Sequence, residues 1–265
     1  MNMNQHEVDK ALKGLSLGAL RFYPSIGSTN DEALAWAASN APDLALVLAE
    51  DQTSGRGRQG RVWVSQPGSS LTFSLILRPG KGQAGTVGRY AFLGALALAQ
   101  VLRNQYALPA LVKWPNDVLV SGRKVCGILA ETVWSGEDAD SVVLGMGVNL
   151  LTGSVPPQEG LNFPAACLQD FTQNAPTPLG LLPMLLKEVM ALRPLLATPT
   201  FFGMLRPLLA FRDETVRITG LGGSGADALV RIDGLGEDGS LLVSEPDSGK
   251  QHTLHQGEVH LLAKG

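Results

Sequence analysis

Between residues 61 and 150 the sequence sets six strand-like segments around one long helical run, and this imbalance is the strongest constraint on the fold. Arg61 to Ser65 and Leu71 to Leu77 alternate with period two, and Ala110 to Trp114, Val118 to Val120, Lys124 to Val133 and Ser141 to Leu150 are compact apolar or β-period runs. Thr86 to Gln105 is the single helix among them. A parallel pair needs a crossover, usually a helix, for each return, and one helix cannot supply so many. The pattern predicts a mixed α/β (α+β) sheet with mainly antiparallel pairing, not a doubly wound parallel one. Gln66-Pro67-Gly68-Ser69 is turn chemistry and predicts a hairpin between the first two runs, next to the glycine- and arginine-rich segment 55–60.

On the amino-terminal side, Ala19 to Tyr23 and Leu44 to Glu50 are short strand patterns. Between them Thr29-Asn30-Asp31-Glu32 has the form of a capping box opening a helix over Glu32 to Ser39. Residues 151–178 are loop-rich, and Leu179 to Leu192 and Phe201 to Phe211 are apolar helical segments broken at Pro194 and Pro199. From Glu214 the texture changes to short strands punctuated by glycine: Thr215 to Thr219, Ala228 to Ile232, Ser240 to Ser244 and Glu258 to Leu262. A domain boundary near 213 follows, giving residues 1–213 and 214–265, the second matching a small β-barrel.

With 45 % hydrophobic and 17 % charged residues in 265, the chain has ample apolar surface to bury and no signature of disorder. Tyr90 to Leu102, bounded by Arg89 and Arg103, falls short of the roughly 18 residues that span a bilayer. The first twenty residues lack the apolar core of a secretory signal, so no membrane partner is expected and the cytoplasm is the default location. Cys126 and Cys167 cannot build a disulfide scaffold or a cysteine-rich zinc site, and both are expected to be reduced and at least partly buried. His6, His252, His255 and His260 lie near the chain ends, away from any site-like segment, and no metal site is expected.

Charge is uneven. Residues 52–116 contain no Asp or Glu, where the average composition would place about six, yet hold Arg56, Arg58, Arg61, Arg78, Lys81, Arg89, Arg103 and Lys113. The clustering of Arg56, Arg58 and Arg61 in one glycine-rich loop points to an anionic ligand. GRGRQG at 55–60 satisfies the dinucleotide fingerprint by spelling, but a β-period run follows it and no acid occurs before Asp117 to hold a ribose. The glycines therefore allow close backbone approach, while Arg56 and Arg58 offer planar donors to phosphate or carboxylate. GLSLG at 14–18 fits a nucleophile elbow but lies outside any strand-turn-helix. Lys113, at a strand end before Pro115-Asn116-Asp117, is placed to meet a developing negative charge. Gly127, Gly145 and Gly147 mark places where a ligand or another chain segment comes close.

Taken in order, STN at 28–30, Gln52, GRGRQGR at 55–61, KWPND at 113–117, KVCGILAE at 124–131 and GMGVN at 145–149 resemble biotin protein ligases, with a match running from about residue 20 to 215. The resemblance implies a mixed-sheet catalytic domain like that of class II aminoacyl-tRNA synthetases and lipoate ligases, followed by an SH3-like barrel. It implies ATP-dependent formation of biotinyl-5′-AMP and transfer of biotin to a lysine of the biotin carboxyl carrier domain of acetyl-CoA carboxylase. ATP with Mg2+ and biotin are then substrates, with no tightly bound cofactor.

Carried over by residue, the resemblance puts Ser28, Thr29, Asn30 and Gln52 around the ureido ring of biotin. Gly55, Arg56, Gly57 and Arg58 fall in a loop over the adenylate, and Lys113 lies at the carboxylate and α-phosphate. Arg61, Asn116, Asp117, Lys124 and Asn149 become nucleotide or supporting positions. Arg58 and Lys113 are the expected catalytic pair. Because 27 residues precede Ser28, too few for a winged helix-turn-helix, no DNA-binding role is expected; a homodimer is compatible with the family. The competing readings are a lipoate-protein ligase and a nucleic-acid-binding protein using the basic window and the carboxy-terminal barrel, the latter opposed by few aromatics in that window and a sequence pI of 5.8.

Overall fold

A computed structural model describes residues 3–64, 66–80, 83–159, 161, 163–219, 221 and 227–261. Ser65, Lys81 and Leu262, which figure in the sequence expectations, lie outside the described residues. After a short helix α1 (Gln5–Ala11), the chain runs β1 (Ala19–Ile26), α2 (Thr29–Ala38), β2 (Ala45–Gln52), β3 (Ser70–Leu77) and α3 (Tyr90–Tyr106). It continues through β4 (Ala110–Lys113), β5 (Asp117–Val120), β6 (Arg123–Ser135), β7 (Asp138–Asn149), α4 (Pro178–Leu192) and α5 (Pro199–Leu205). These strands form one seven-stranded sheet in the order β1-β2-β3-β7-β6-β5-β4, antiparallel throughout except for β1 against β2. The mixed, mainly antiparallel sheet is as expected: only the β1-β2 return needs a crossover, and α2 supplies it.

Both faces of the central strands are covered, so β3 is buried along its whole length and its period-two pattern sorts residues between two cores. Leu71, Phe73, Leu75 and Leu77 join the large core with α3 and α4, whereas Ile76 joins Val47, Val143, Ala33 and Ala37 beneath α2. Ser70, Thr72 and Ser74, alternating along β3 in step with Ile76, put three buried hydroxyls into an otherwise apolar strand.

The structure corrects the expected hairpin. Leu71 to Leu77 pairs with β2 and β7, not with the segment after the basic loop. That segment instead folds back on the loop itself through an Arg56–Val62 bridge and the Trp63 N to Gly55 O hydrogen bond of 2.9 Å. The acid-free window is also more dispersed than its charge suggests. Arg78 lies remote from the basic loop and is consumed in structure: it donates to Ala41 O through Nε at 2.9 Å, to Ala37 O and to the Asp140 carboxylate at 2.8 Å. Arg89 donates to Leu196 O and Arg103 to Ala110 O. We expect Arg78→Ala to cost about 2 kcal/mol, since it strands carbonyls at the end of α2 and a carboxylate on β7; urea unfolding measures this, and a loss below about 0.5 kcal/mol would refute it.

The apolar stretch Gly85–Tyr106 is longer than the sequence suggested, because a 3-10 turn over Ala84–Arg89 leads into α3. It is long and apolar enough to cross a membrane by length and composition, but 61 % of its most apolar window is buried inside the protein. It is the core helix of the sheet. Both cysteines are buried and free.

Beyond residue 213 the chain forms β8 (Thr215–Thr219), β9 (Asp227–Leu235), β10 (Leu241–Ser244), β11 (Gln251–Leu254) and β12 (Glu258–His260), a five-stranded antiparallel sheet in the order β11-β10-β9-β8-β12. Among the described residues its end strands β11 and β12 are not paired to each other, so no closed barrel is seen. The strand β11 was missed by sequence because QHTL has only one strongly apolar residue. This sheet shares the large core: Val216, Ile218, Val230 and Ile232 belong to the same buried cluster as Phe92 and Phe202, and Trp114 Nε1 donates to Gly239 O at 3.1 Å.

Candidate functional site: a polar and cationic cavity under the basic loop

The parallel β1-β2 pairing sets Gln52 opposite Ile26, and it is prolonged by the Thr53 N to Ile26 O and Ser54 N to Gly27 O hydrogen bonds of 2.9 and 2.8 Å. Gln52 is thereby carried to the start of α2, where its Oε1 accepts from the Thr29 N–H at 2.7 Å and the Thr29 hydroxyl at 3.0 Å. The first-turn N–H groups of a helix lack internal partners, and this is how one of them is satisfied. The cap differs from the expected one: the N-cap is Ser28, whose Oγ faces Asp31 N at 3.5 Å, and Thr29 is already helical. The expected Glu32 partner instead turns to Arg21 at 2.6 Å and Tyr23 at 2.8 Å on β1. Neighbouring β1 side chains outcompeted the local box.

Asn30 is held from three sides. Its Oδ1 accepts from the Ser74 hydroxyl at 2.6 Å, and its Nδ2 donates to Leu129 O at 3.3 Å and Glu131 Oε2 at 2.8 Å. A side chain at Gly145 would overlap Asn30 Oδ1. Likewise the indole of Trp63 lies against Gly127 and Gly147, where a methyl group would overlap the ring. The glycines are therefore places of close approach, and it is protein side chains that approach.

At the opposite end the β4-β5 turn sets Lys113 across from Asp117, and Lys124 enters from the start of β6. The Asp117 carboxylate bridges Lys113 Nζ at 3.2 Å and Lys124 Nζ at 2.7 Å. Burial pushes its carboxyl up, but the two ammonium groups outweigh this and hold it below the usual carboxylate range. Lys113 is only 2 % exposed, with Nζ 4.9 Å from the centre of the Phe163 ring.

The basic loop roofs the space between these ends. It closes through Gly57 N to Arg61 O at 2.7 Å and turns through Gln59 and Gly60, both at positive φ (56° and 72°). Arg56 pairs with Asp31 at 3.0 Å and with Glu131, and Arg61 pairs with Glu258 of β12. Arg58 is different: among the described residues it makes no ion pair and donates only to Asn116 Oδ1, at 3.3 Å. Burial pulls its guanidinium below the usual arginine range, partly offset by the fields of Asp117 and Glu258. A partly buried cation without a carboxylate of its own is suited to an incoming anion.

The partly open cavity measures about 280 Å³. It is lined by Ser28, Thr29, Asn30, Gln52, Arg56, Gly57, Arg58, Arg61, Lys113, Asn116, Asp117, Lys124 and Asn149; of the sequence-derived candidates only Gly55 faces the outer groove of the loop instead. Asn149 donates to Ala166 O at 3.0 Å, leaving a buried Oδ1 without a partner.

Residues 22–149 match the model of the biotin/lipoate A/B protein ligase family. Just under half of the chain is thus similar to that family. Over 139 residues it is 44 % identical to the biotin--[acetyl-CoA-carboxylase] ligase of Paracoccus denitrificans, covering 49 % of this chain and 55 % of that protein. It is 37 % identical over 149 residues to the bifunctional ligase/repressor BirA of Bacillus subtilis, covering 56 % and 46 % respectively. The match thus spans about half the length of these curated relatives. The solved structure of the biotin protein ligase from Aquifex aeolicus in complex with biotin and ATP superposes with a TM-score of 0.71 at 26 % identity, covering 91 % of this chain and 97 % of that one.

Several residues that line or brace the cavity escaped the sequence reading. Ser74 had a signal, a hydroxyl on a strand with no exposed face. Trp63 and Phe163 had none beyond being aromatic. Gly257 and Glu258 also line the cavity, and nothing in the local sequence of the carboxy-terminal strands announces that role. Burial raises the Glu258 carboxyl, but Arg61 and Lys113 hold it below its usual range. Among the described residues no group of three His, Cys, Asp or Glu side chains is placed to hold a metal ion.

Proposed function

We propose that the chain activates biotin with ATP and transfers it to a lysine of a biotin carboxyl carrier domain, that of acetyl-CoA carboxylase being the family's partner. The observation that carries this reading is the polarity of a single cavity. Neutral donors and acceptors of Thr29, Asn30 and Gln52, braced by the buried Ser74 hydroxyl, lie at one end, and Lys113, Lys124 and Arg58 lie at the other. A ureido ring offers N–H donors and a carbonyl acceptor to the first end, and a carboxylate beside a triphosphate needs the second.

In the first step a biotin carboxylate oxygen attacks the α-phosphorus of ATP, and pyrophosphate leaves with the Mg2+ that accompanies the nucleotide. Lys113 and Arg58 stabilise the charge that develops on the α-phosphoryl oxygens, and Asn116, Lys124 and Asn149 orient the nucleotide. In the second step the neutral ε-amine of the carrier lysine attacks the acyl carbon, AMP leaves, and the amine gives up a proton. No covalent enzyme intermediate is involved. Residues 214–265 form an SH3-like unit that contributes Glu258 to the rim of the site, while residues 1–213 hold the reacting groups.

Thermal unfolding with added ligand tests the assignment, because only a ligand that binds the folded state raises the midpoint. Biotin, and more strongly biotin with Mg-ATP, should raise it by several degrees, whereas lipoate and a single-stranded oligonucleotide should not. A shift with lipoate alone would favour the lipoate ligase reading, and a shift with the oligonucleotide alone a nucleic-acid-binding protein.

A further inference from the structure

Glu131 stands outside the cavity's polar and cationic ends but touches the device that joins them. Its Oε2 accepts from Asn30 Nδ2 at 2.8 Å, and both carboxylate oxygens face the Arg56 guanidinium, which Asp31 holds from the other side at 3.0 Å. Asn30 in turn accepts from Ser74, so the carboxylate fixes which way the Asn30 amide points: nitrogen towards Glu131, oxygen towards Ser74 and away from it. The same carboxylate is the principal anchor of the first arginine of the roof loop. Strand β6 is paired with β7 at this point, Glu131 lying opposite Val143. The anchor is thus part of the sheet, while the loop it holds lies outside it.

We propose that Glu131 is a positioning residue, which holds the basic loop closed through Arg56 and sets the Asn30 amide for ligand recognition. The assignment rests on the biotin reading of the cavity. It implies that loop closure and recognition of the polar head of the ligand share one carboxylate: when Glu131 loses its charge, the loop opens and the amide loses its orientation together. Because Arg56 and Glu131 are both partly exposed, at 39 % and 29 %, the latch is also expected to weaken with salt.

The loop carries its own reporter, since trypsin cuts after Arg58 and Arg61. Without ligand, Glu131→Gln should be cut at these two bonds at least about fivefold faster than wild type, with the rate after Arg212, outside the loop, unchanged. The double variant Glu131→Gln with Arg56→Gln should be cut no faster than Glu131→Gln alone, because both changes release one contact. Raising NaCl to 0.5 M should speed loop cleavage in wild type but not in Glu131→Gln. Loop cleavage within twofold of wild type, an equal rise after Arg212, or multiplicative effects in the double variant would each overturn the latch. Titration with biotin then tests the second half, with an expected tenfold or greater loss of affinity in Glu131→Gln. Equal affinities would overturn the positioning of Asn30. Failure of wild type itself to bind biotin would overturn the site assignment, while leaving the ligand-free loop result to stand by itself.

Discussion

Lys113→Met should lower biotin-dependent pyrophosphate release by about 10²- to 10³-fold, the cost of removing one preorganised donor from a developing oxyanion. The ammonium group lies at the cationic end of the cavity, sealed from solvent, where a charge acts more strongly than it does in water. Methionine keeps most of the volume of the lysine stem, and Asp117 keeps Lys124 as its counter-ion at 2.7 Å, so the fold should persist. The loss should therefore appear in the rate of adenylate formation, with the unfolding midpoint changed little. Pyrophosphate release within tenfold of wild type would show that the charge of Lys113 is not used in the transition state.

Asp117→Asn should have the largest effect on stability, a loss on the order of 3 kcal/mol, because it removes the counter-charge of a fully sealed lysine. Lys124 can turn to water, being 25 % exposed, but Lys113 cannot. The decisive comparison is with Asp117→Asn combined with Lys113→Met: once the stranded ammonium is gone, most of the loss in urea unfolding should be recovered. A double variant no more stable than Asp117→Asn would mean that charge pairing is not the reason. The pH dependence follows from the same pair. The Asp117 carboxyl titrates lower in the folded protein than in the unfolded chain, so its contribution is fully present above the unfolded value near 4 and is lost as pH falls below it towards the folded value. Wild type should therefore lose stability on acidification through this range more steeply than the double variant.

The basic loop shows how charge read along a chain can mislead and still point to the right place. Eight cations without an acid in residues 52–116 suggested one anion-facing surface, but Arg78, Arg89 and Arg103 are spent on helix ends and carbonyls remote from the basic loop. Arg56 and Arg61 meet carboxylates brought from β6 and β12, Glu131 and Glu258, 75 and 197 residues away. Only contacts of that range reveal that Arg58 is the loop cation left without an acid. Spacing within the loop cannot distinguish the three.

What the sequence by itself determined is the set of elements and the candidates they carry. Period-two runs with a single helix require a mainly antiparallel sheet, and glycine at 145 and 147 marks where β7 must be approached closely. These are local or short-range matters, settled by periodicity and by the absence of a side chain. Tertiary structure alone decided that Ser28 and not Thr29 caps α2, because Gln52 claims Thr29 and Arg21 with Tyr23 claim Glu32. It also decided that β3 joins β2 to β7 instead of forming a hairpin, since burial on both faces outweighs the nearby turn. It brought Gly257 and Glu258 to a site whose other lining residues all lie at or before Ala165 in the chain. A hydrogen bond or ion pair goes to whichever partner the packed chain brings within reach, and that choice depends on the whole core at once.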